Sequence, residues 1–260
     1  MSTKNPRAAL SGSHLLFLVV LVGVAMVSAC GGDESVTTTS TAPESTSTSA
    51  ASTTSTSSST TTTLPGLPGE PLDLGFPKAG DVLGVVGVAF DDVLNVRAVP
   101  GADAAVVATL EPLADDVVAL DRARQLPGTI WFEVQDDGVT GWVNSSFVAY
   151  LGSVDDVTSL VVAQAGEMPA AETMMALGRM VAEIMASDDP ASEIVMTVAP
   201  TVGDLGEVTY DVIGLGDDAV GGMRLHVFGQ PSEGGEGFTL KSVESTTLCG
   251  RGVTEDGLCI

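Results

Sequence analysis

Between Glu34 and Leu64 the chain is almost entirely serine and threonine, with scattered Ala, Pro and Glu and almost nothing large enough to pack. Such a segment cannot bury the apolar surface that would offset the entropy lost on ordering. It is therefore expected to be disordered, and it confines folded structure to the residues C-terminal to it. A flexible chain of about thirty residues spans roughly 30 Å on average and about 100 Å when stretched, which makes it a tether. Pro65, Pro68, Pro71 and Pro77 stiffen the approach to the first folded region. These features place a linker at residues 30–80, followed by folded regions at 81–152 and 153–260.

Ahead of the linker, Lys4 and Arg7 precede an apolar run from Leu15 to Ala29. That run is about fifteen residues, whereas a spanning helix needs roughly twenty, so a cleaved export signal over residues 1–29 is favoured. The string Val27-Ser28-Ala29-Cys30 resembles the lipobox of bacterial lipoproteins. That resemblance implies a diacylglycerol on the Cys30 thiol and cleavage before Cys30. It also implies fatty acids such as palmitate at the new amino terminus, and so a lipid anchor at the extracytoplasmic face of the cell membrane. More than one acyl chain on a residue gives stable attachment where a single chain does not.

All 34 acidic residues lie after Cys30, against eight basic ones, a formal charge of −26 for the mature chain. Nucleic acid and anionic lipid head groups both require cationic patches, so neither is an expected partner. Membrane attachment is left to the acyl chains. With Cys30 lipidated, Cys249 and Cys259 remain to pair as a disulfide across a stretch containing three glycines. No second cysteine or histidine pair supplies the ligands of a metal knuckle, so no metal or other cofactor is expected.

From about Asp81 to Gly152, short β-prone runs alternate with turn residues. They are Val82–Phe90, Val93–Val99, Val106–Leu110, Val117–Asp121, Trp131–Gln135 and Gly141–Val143, with Asp136-Asp137-Gly138 as a tight hairpin turn. Five or six such strands in about seventy residues make a small all-β barrel. The strings Leu94-Asn95-Val96-Arg97-Ala98-Val99-Pro100-Gly101, Trp131-Phe132-Glu133-Val134 and Gly141-Trp142-Val143-Asn144, followed by Ser145-Ser146-Phe147, resemble the bacterial Src homology 3-like domain of exported and wall-associated proteins. The resemblance implies an aromatic groove able to take a peptide, with Trp131, Phe132, Trp142, Phe147 and Tyr150 as candidate lining residues. Trp131 and Phe132 are strand neighbours, so one faces the core and the other does not.

The region after residue 152 resembles no family. Met174, Leu177, Val181, Ile184 and Met185 fall on one face of a helix expected over Ala170–Ser187, and Asp188-Asp189-Pro190 ends it. Four apolar runs come after it, Glu193–Ala199, Glu207–Ile213, Met223–Phe228 and Phe238–Val243. The expectation is an α+β domain with the helix packed on an antiparallel meander. In the third run, Met223, Leu225 and Val227 are expected to face inward, leaving Arg224, His226 and Phe228 on a solvated face. Met168, Met175 and Met180 stand off the main helical stripe; core packing is the default expectation for them, with an adaptable contact surface or a soft-metal site as the alternatives.

His226 is the single histidine after Cys30, and neither a G-x-S-x-G elbow nor an H-E-x-x-H pair is present. Neighbouring acid pairs such as Asp91-Asp92 and Asp217-Asp218 point apart on a strand or turn and do not form a calcium loop or a carboxylate dyad. A non-enzymatic lipoprotein is therefore expected, one that presents a binding module to a peptidoglycan peptide or an envelope protein. The alternative is an accessory or regulatory subunit of a membrane complex, docking through residues 153–260.

Overall fold

The computed structural model describes residues 66–232, 234 and 236–260. The expected signal peptide, Cys30 and the Ser/Thr tract lie outside the described residues. In chain order the strands and helices are β1 (Glu70–Leu72), β2 (Val82–Val85), β3 (Leu94–Arg97), β4 (Val106–Leu110), β5 (Val117–Leu126), β6 (Thr129–Asp136), β7 (Val139–Asn144) and β8 (Val148–Asp156), then α1 (Thr158–Ala165), β9 (Ala170–Ala171), α2 (Met174–Met185), β10 (Glu193–Val202), β11 (Gly206–Ile213), β12 (Val220–Pro231) and β13 (Phe238–Cys249). A 3-10 turn, Ser145–Phe147, separates β7 from β8. The protein is mostly β, an antiparallel sheet with two short helices.

Period-two patterning drives the barrel strands. In β6, Phe132 and Val134 enter a core with Leu83, Val96, Val117, Val143 and Val148, while Trp131 and Glu133 take the opposite face. Asp137 and Gly138 both have positive φ and close the β6–β7 hairpin, with Asp136 paired to Val139. This is the two-residue turn whose twist matches the flanking strands. The first β run is shorter than its apolar composition implies. Only Val82–Val85 pair as strand, because Gly87 turns at φ +65° and Val86 N–H donates to the Phe147 carbonyl.

A second core lies under α2, where Met174, Leu177, Val181 and Ala182 pack on Val208, Tyr210, Val212, Leu225, Val227 and Val243. The helix begins at Met174 rather than Ala170. Thr173 Oγ1 accepts from Ala176 N–H at 3.1 Å and caps it, and Ala170 and Ala171 pair with Thr239 and Phe238 instead. The sequence reading missed α1, whose Leu- and Val-containing run shows little helical periodicity; Asp156 Oδ1 accepts from Thr158 N–H at its start. It also missed β1, which pairs Glu70 with Gln125 and Leu72 with Ala123. Residues 70–72 therefore belong to the fold, although they fall inside the expected linker.

The sheet runs without a break through both cores, in the order β10-β11-β12-β13-β8-β2-β5-β6-β7-β3-β4. The strand that joins them is β8. Its first part pairs Val148 with Val85 of the barrel, and its later part pairs Asp156 with Glu244 of β13. The Cys249–Cys259 disulfide is present, and Cys249 is buried in the barrel core. Closing a loop of this length contributes about 2–3 kcal/mol by constraining the unfolded chain.

Candidate functional site

The aromatic residues of the barrel divide into separate environments. Phe132 lies in the core. Trp142 faces away from that core, but only 2% of it is exposed. The Arg122 guanidinium lies 5.4 Å from its ring centroid, and its Nη1 donates to both Glu133 Oε1 and Oε2, at 2.8 and 2.9 Å. Tyr150 is buried too, and its hydroxyl donates to Asp81 Oδ2 at 2.6 Å. Burial, then the hydrogen bond and charge of Asp81, push the Tyr150 hydroxyl well above the ordinary tyrosine range. Tyr150 lines a different cavity, of about 950 Å³, with Phe76, Lys78 and Arg251.

Trp131 and Phe147 are brought together. They line a groove of about 410 Å³ whose walls are the 87–93 loop, Asn95 and Arg97 of β3, Asn144, and Glu193 and Val195 of β10. Trp131 Nε1 donates to Thr129 Oγ1 at 3.1 Å, which orients the indole. Phe147 is exposed on the 3-10 turn, which Asn144 caps by accepting from Ser146 N–H at 3.0 Å. Of the five aromatic candidates, the structure places two at this groove, Phe147 exposed and Trp131 only 5% exposed at its floor, and leaves Phe132, Trp142 and Tyr150 outside it. Sequence reasoning did not find Asn95, Arg97, Asn144 or Glu193. The asparagines carry only a weak turn signal, and Glu193 lies some sixty residues beyond Trp131 in the chain.

A buried ion pair sets the position of the groove wall. Arg224 Nε and Nη2 donate to Asp211 Oδ1 and Oδ2 at 2.8 and 2.9 Å, in the two-pronged geometry that makes such pairs strong. Asp211 is completely buried. The Arg224 side chain is only 11% exposed, so the expected solvated face of β12 is covered at that position by the barrel. The same groups reach across to it. Gly87 N–H donates to Asp211 Oδ2 at 2.9 Å, and Arg224 Nη2 donates to the Val85 carbonyl at 2.7 Å. Phe90 N–H donates to the Met196 carbonyl at 3.0 Å, a further tie between the loop and β10.

Further along β12, His226 stays partly open, 3.5 Å from Glu207 and packed against Phe228 with ring centroids 4.1 Å apart and planes tilted by 42°. Among the described residues no three His, Cys, Asp or Glu side chains gather as a metal site, and no helix is long and apolar enough to cross a membrane.

No curated protein and no solved structure matches the chain. A family model described as Bacterial SH3 domain matches residues 92–149, which run from the 87–93 loop through β3 to the first part of β8 and include Trp131, Asn144 and Phe147. Residues 92–149 are therefore a bacterial SH3 domain, which supplies most of the groove lining, Trp131 and Phe147 included, while the start of the 87–93 loop and β10 supply the rest.

Proposed function

We propose that this chain is an exported, non-enzymatic lipoprotein. On this reading it is anchored through Cys30 to the extracytoplasmic face of the cell membrane and displays its bacterial SH3 domain to bind a peptide of the cell envelope. The observation that carries the proposal is the groove. It is concave, it lies mostly on the matched domain, and it sets an exposed phenylalanine beside a tryptophan and several polar groups. Ligand sites are commonly built this way, with apolar contact for affinity and a few polar groups for orientation. The charge of the chain disfavours anionic wall polymers, which leaves a wall peptide or an envelope protein as the ligand.

Titration of a soluble wall stem peptide, read by tryptophan fluorescence, tests the binding. Phe147 is 36% exposed, so Phe147→Ser should lower the melting temperature only modestly and weaken binding at least about tenfold. Equal binding by the variant, or binding to wall polymer that salt abolishes, would count against a peptide groove. The anchor is tested separately by Cys30→Ser, which should abolish metabolic labelling with a fatty acid. Retained label would overturn it.

The second reading, docking on a membrane partner, draws support from the exposed Leu160, Met168, Met175 and Met180 on and around the helices. Crosslinking in intact cells to one discrete membrane protein, lost on Met175→Glu, would favour it over the peptide reading.

A further inference from the structure

We infer that the groove selects ligands bearing a primary amine, and that Glu193, contributed by the sheet outside the matched domain, is the residue that selects them. This inference rests on the peptide-binding reading of the same groove. Three charged side chains line it: Asp92, Glu193 and Arg97. Arg97 Nη1 donates to the Ala104 carbonyl at 2.8 Å, which holds the guanidinium towards the barrel's own loop, and its single positive charge is outnumbered by the two carboxylates. Asp92 Oδ1 accepts from Val93 N–H at 2.8 Å, and the carboxylate makes no ion pair among the described residues. Glu193 is exposed and makes neither an ion pair nor a side-chain hydrogen bond among the described residues. The charge left for a ligand to meet is therefore negative.

An ammonium group compensates that charge, and the exposed ring of Phe147, with the edge of the nearly buried Trp131 beneath it, can take the peptide or alkyl segment beside it. The excess of acidic residues acts in the same direction, drawing a cation towards the groove and repelling an anion at low salt. Glu193 lies on β10, and the opposite wall is the 87–93 loop, hung from Asp211 of β11 through Gly87. The carboxylate and the aromatic floor thus come from separate parts of the chain, held in register by the Asp211–Arg224 pair.

The test is calorimetric titration of the full mature chain with a synthetic, N-terminally acetylated tetrapeptide, acetyl-Ala-γ-Glu-Lys-Ala, whose lysine ε-amine, its sole primary amine, is either free or acetylated. The wild type should bind the free amine at least about tenfold more tightly, the factor expected for one charge-assisted contact. Glu193→Gln should reduce that preference to about twofold or less and leave the affinity for the acetylated peptide unchanged. Raising salt from about 50 to about 500 mM should weaken the free-amine form alone, because only its contact is screened. Equal binding of both forms by the wild type, or a preference that Glu193→Gln does not alter, overturns the inference. If Phe147→Ser still weakens binding at least about tenfold in that case, the peptide reading stands without it. Binding of neither form overturns both.

Discussion

At the scale of single residues, two buried hydroxyls act in opposite directions. Thr197 is buried, and its Oγ1 has no hydrogen-bond partner among the described residues. A hydroxyl removed from water without compensation costs about 1–3 kcal/mol. Thr197→Val keeps the shape and removes the polar atom, so urea unfolding should show a gain of about 1–2 kcal/mol. Tyr150 is the satisfied case, with its hydroxyl on Asp81, whose Oδ2 also accepts from Lys78 N–H at 2.8 Å. Tyr150→Phe should cost about 1–1.5 kcal/mol at neutral pH. The folded protein holds the tyrosine proton more tightly than the unfolded chain does, since its pKa is raised above the ordinary value of 10.0. That contribution is complete below pH 10 and is lost as the pH rises above it. Stability of Tyr150→Phe should therefore fall less steeply than that of the wild type as the pH rises above about 10, as measured by unfolding at a series of pH values.

At the scale of elements, α2 shows how closely a helix can approach a sheet when one residue has no side chain. Gly178 faces β11, where an added methyl would run into Val208 and come within 2.7 Å of Tyr210 Cε2. Alanine is the better helix former by about 1 kcal/mol, but overpacking a filled core costs about 1–3 kcal/mol. The ring and the β-branched valine are fixed by their own packing, so the steric cost should win. Gly178→Ala is expected to lower stability by about 1–2 kcal/mol in chemical denaturation. At an exposed helical glycine the same substitution would have the opposite sign. The Asp217 carboxylate does a comparable local job between β11 and β12, accepting from Ala219 and Val220 N–H at 2.7 and 2.8 Å. Those bonds hold its pKa below the ordinary range.

At the scale of the whole molecule, the SH3 domain and the sheet beyond it share β8 and the Asp211–Arg224 pair, and the described residues form one compact unit. Both tryptophans lie in the barrel, so their fluorescence reports on that half, while far-UV circular dichroism reports on the whole. The two probes should give one coincident melting transition in the wild type. Arg224→Ala leaves the Asp211 carboxylate buried with no cation, which costs about 3–5 kcal/mol. It also removes the donor to the Val85 carbonyl. The variant should melt lower. Its groove should also loosen, read as weaker peptide binding at temperatures where the variant remains folded. Unchanged binding together with a lowered melting temperature would show that the pair stabilises the protein without positioning the wall.

The barrel was legible in the sequence because its strands are local, alternate with period two and are punctuated by turns such as Asp137-Gly138, and its motifs place Trp131 and Phe147 within one domain. The sequence alone also determined the excess of negative charge and the proximity of two cysteines near one end of the chain. It could not determine which aromatics reach the groove. Strand alternation sends Trp131 and Trp142 to the same side and both are nearly buried, and only the tertiary placement sets Trp131 at the groove and Arg122 over Trp142. Arg224 carries the alternation of an exposed residue, and only its distant contacts with Asp211 and Val85 account for its burial. Glu193 joins the groove through a sheet that crosses from one core to the other. Such contacts join residues far apart in the chain, and no local periodicity records them, because the physical pattern of a strand specifies which face a residue takes and not what that face will meet.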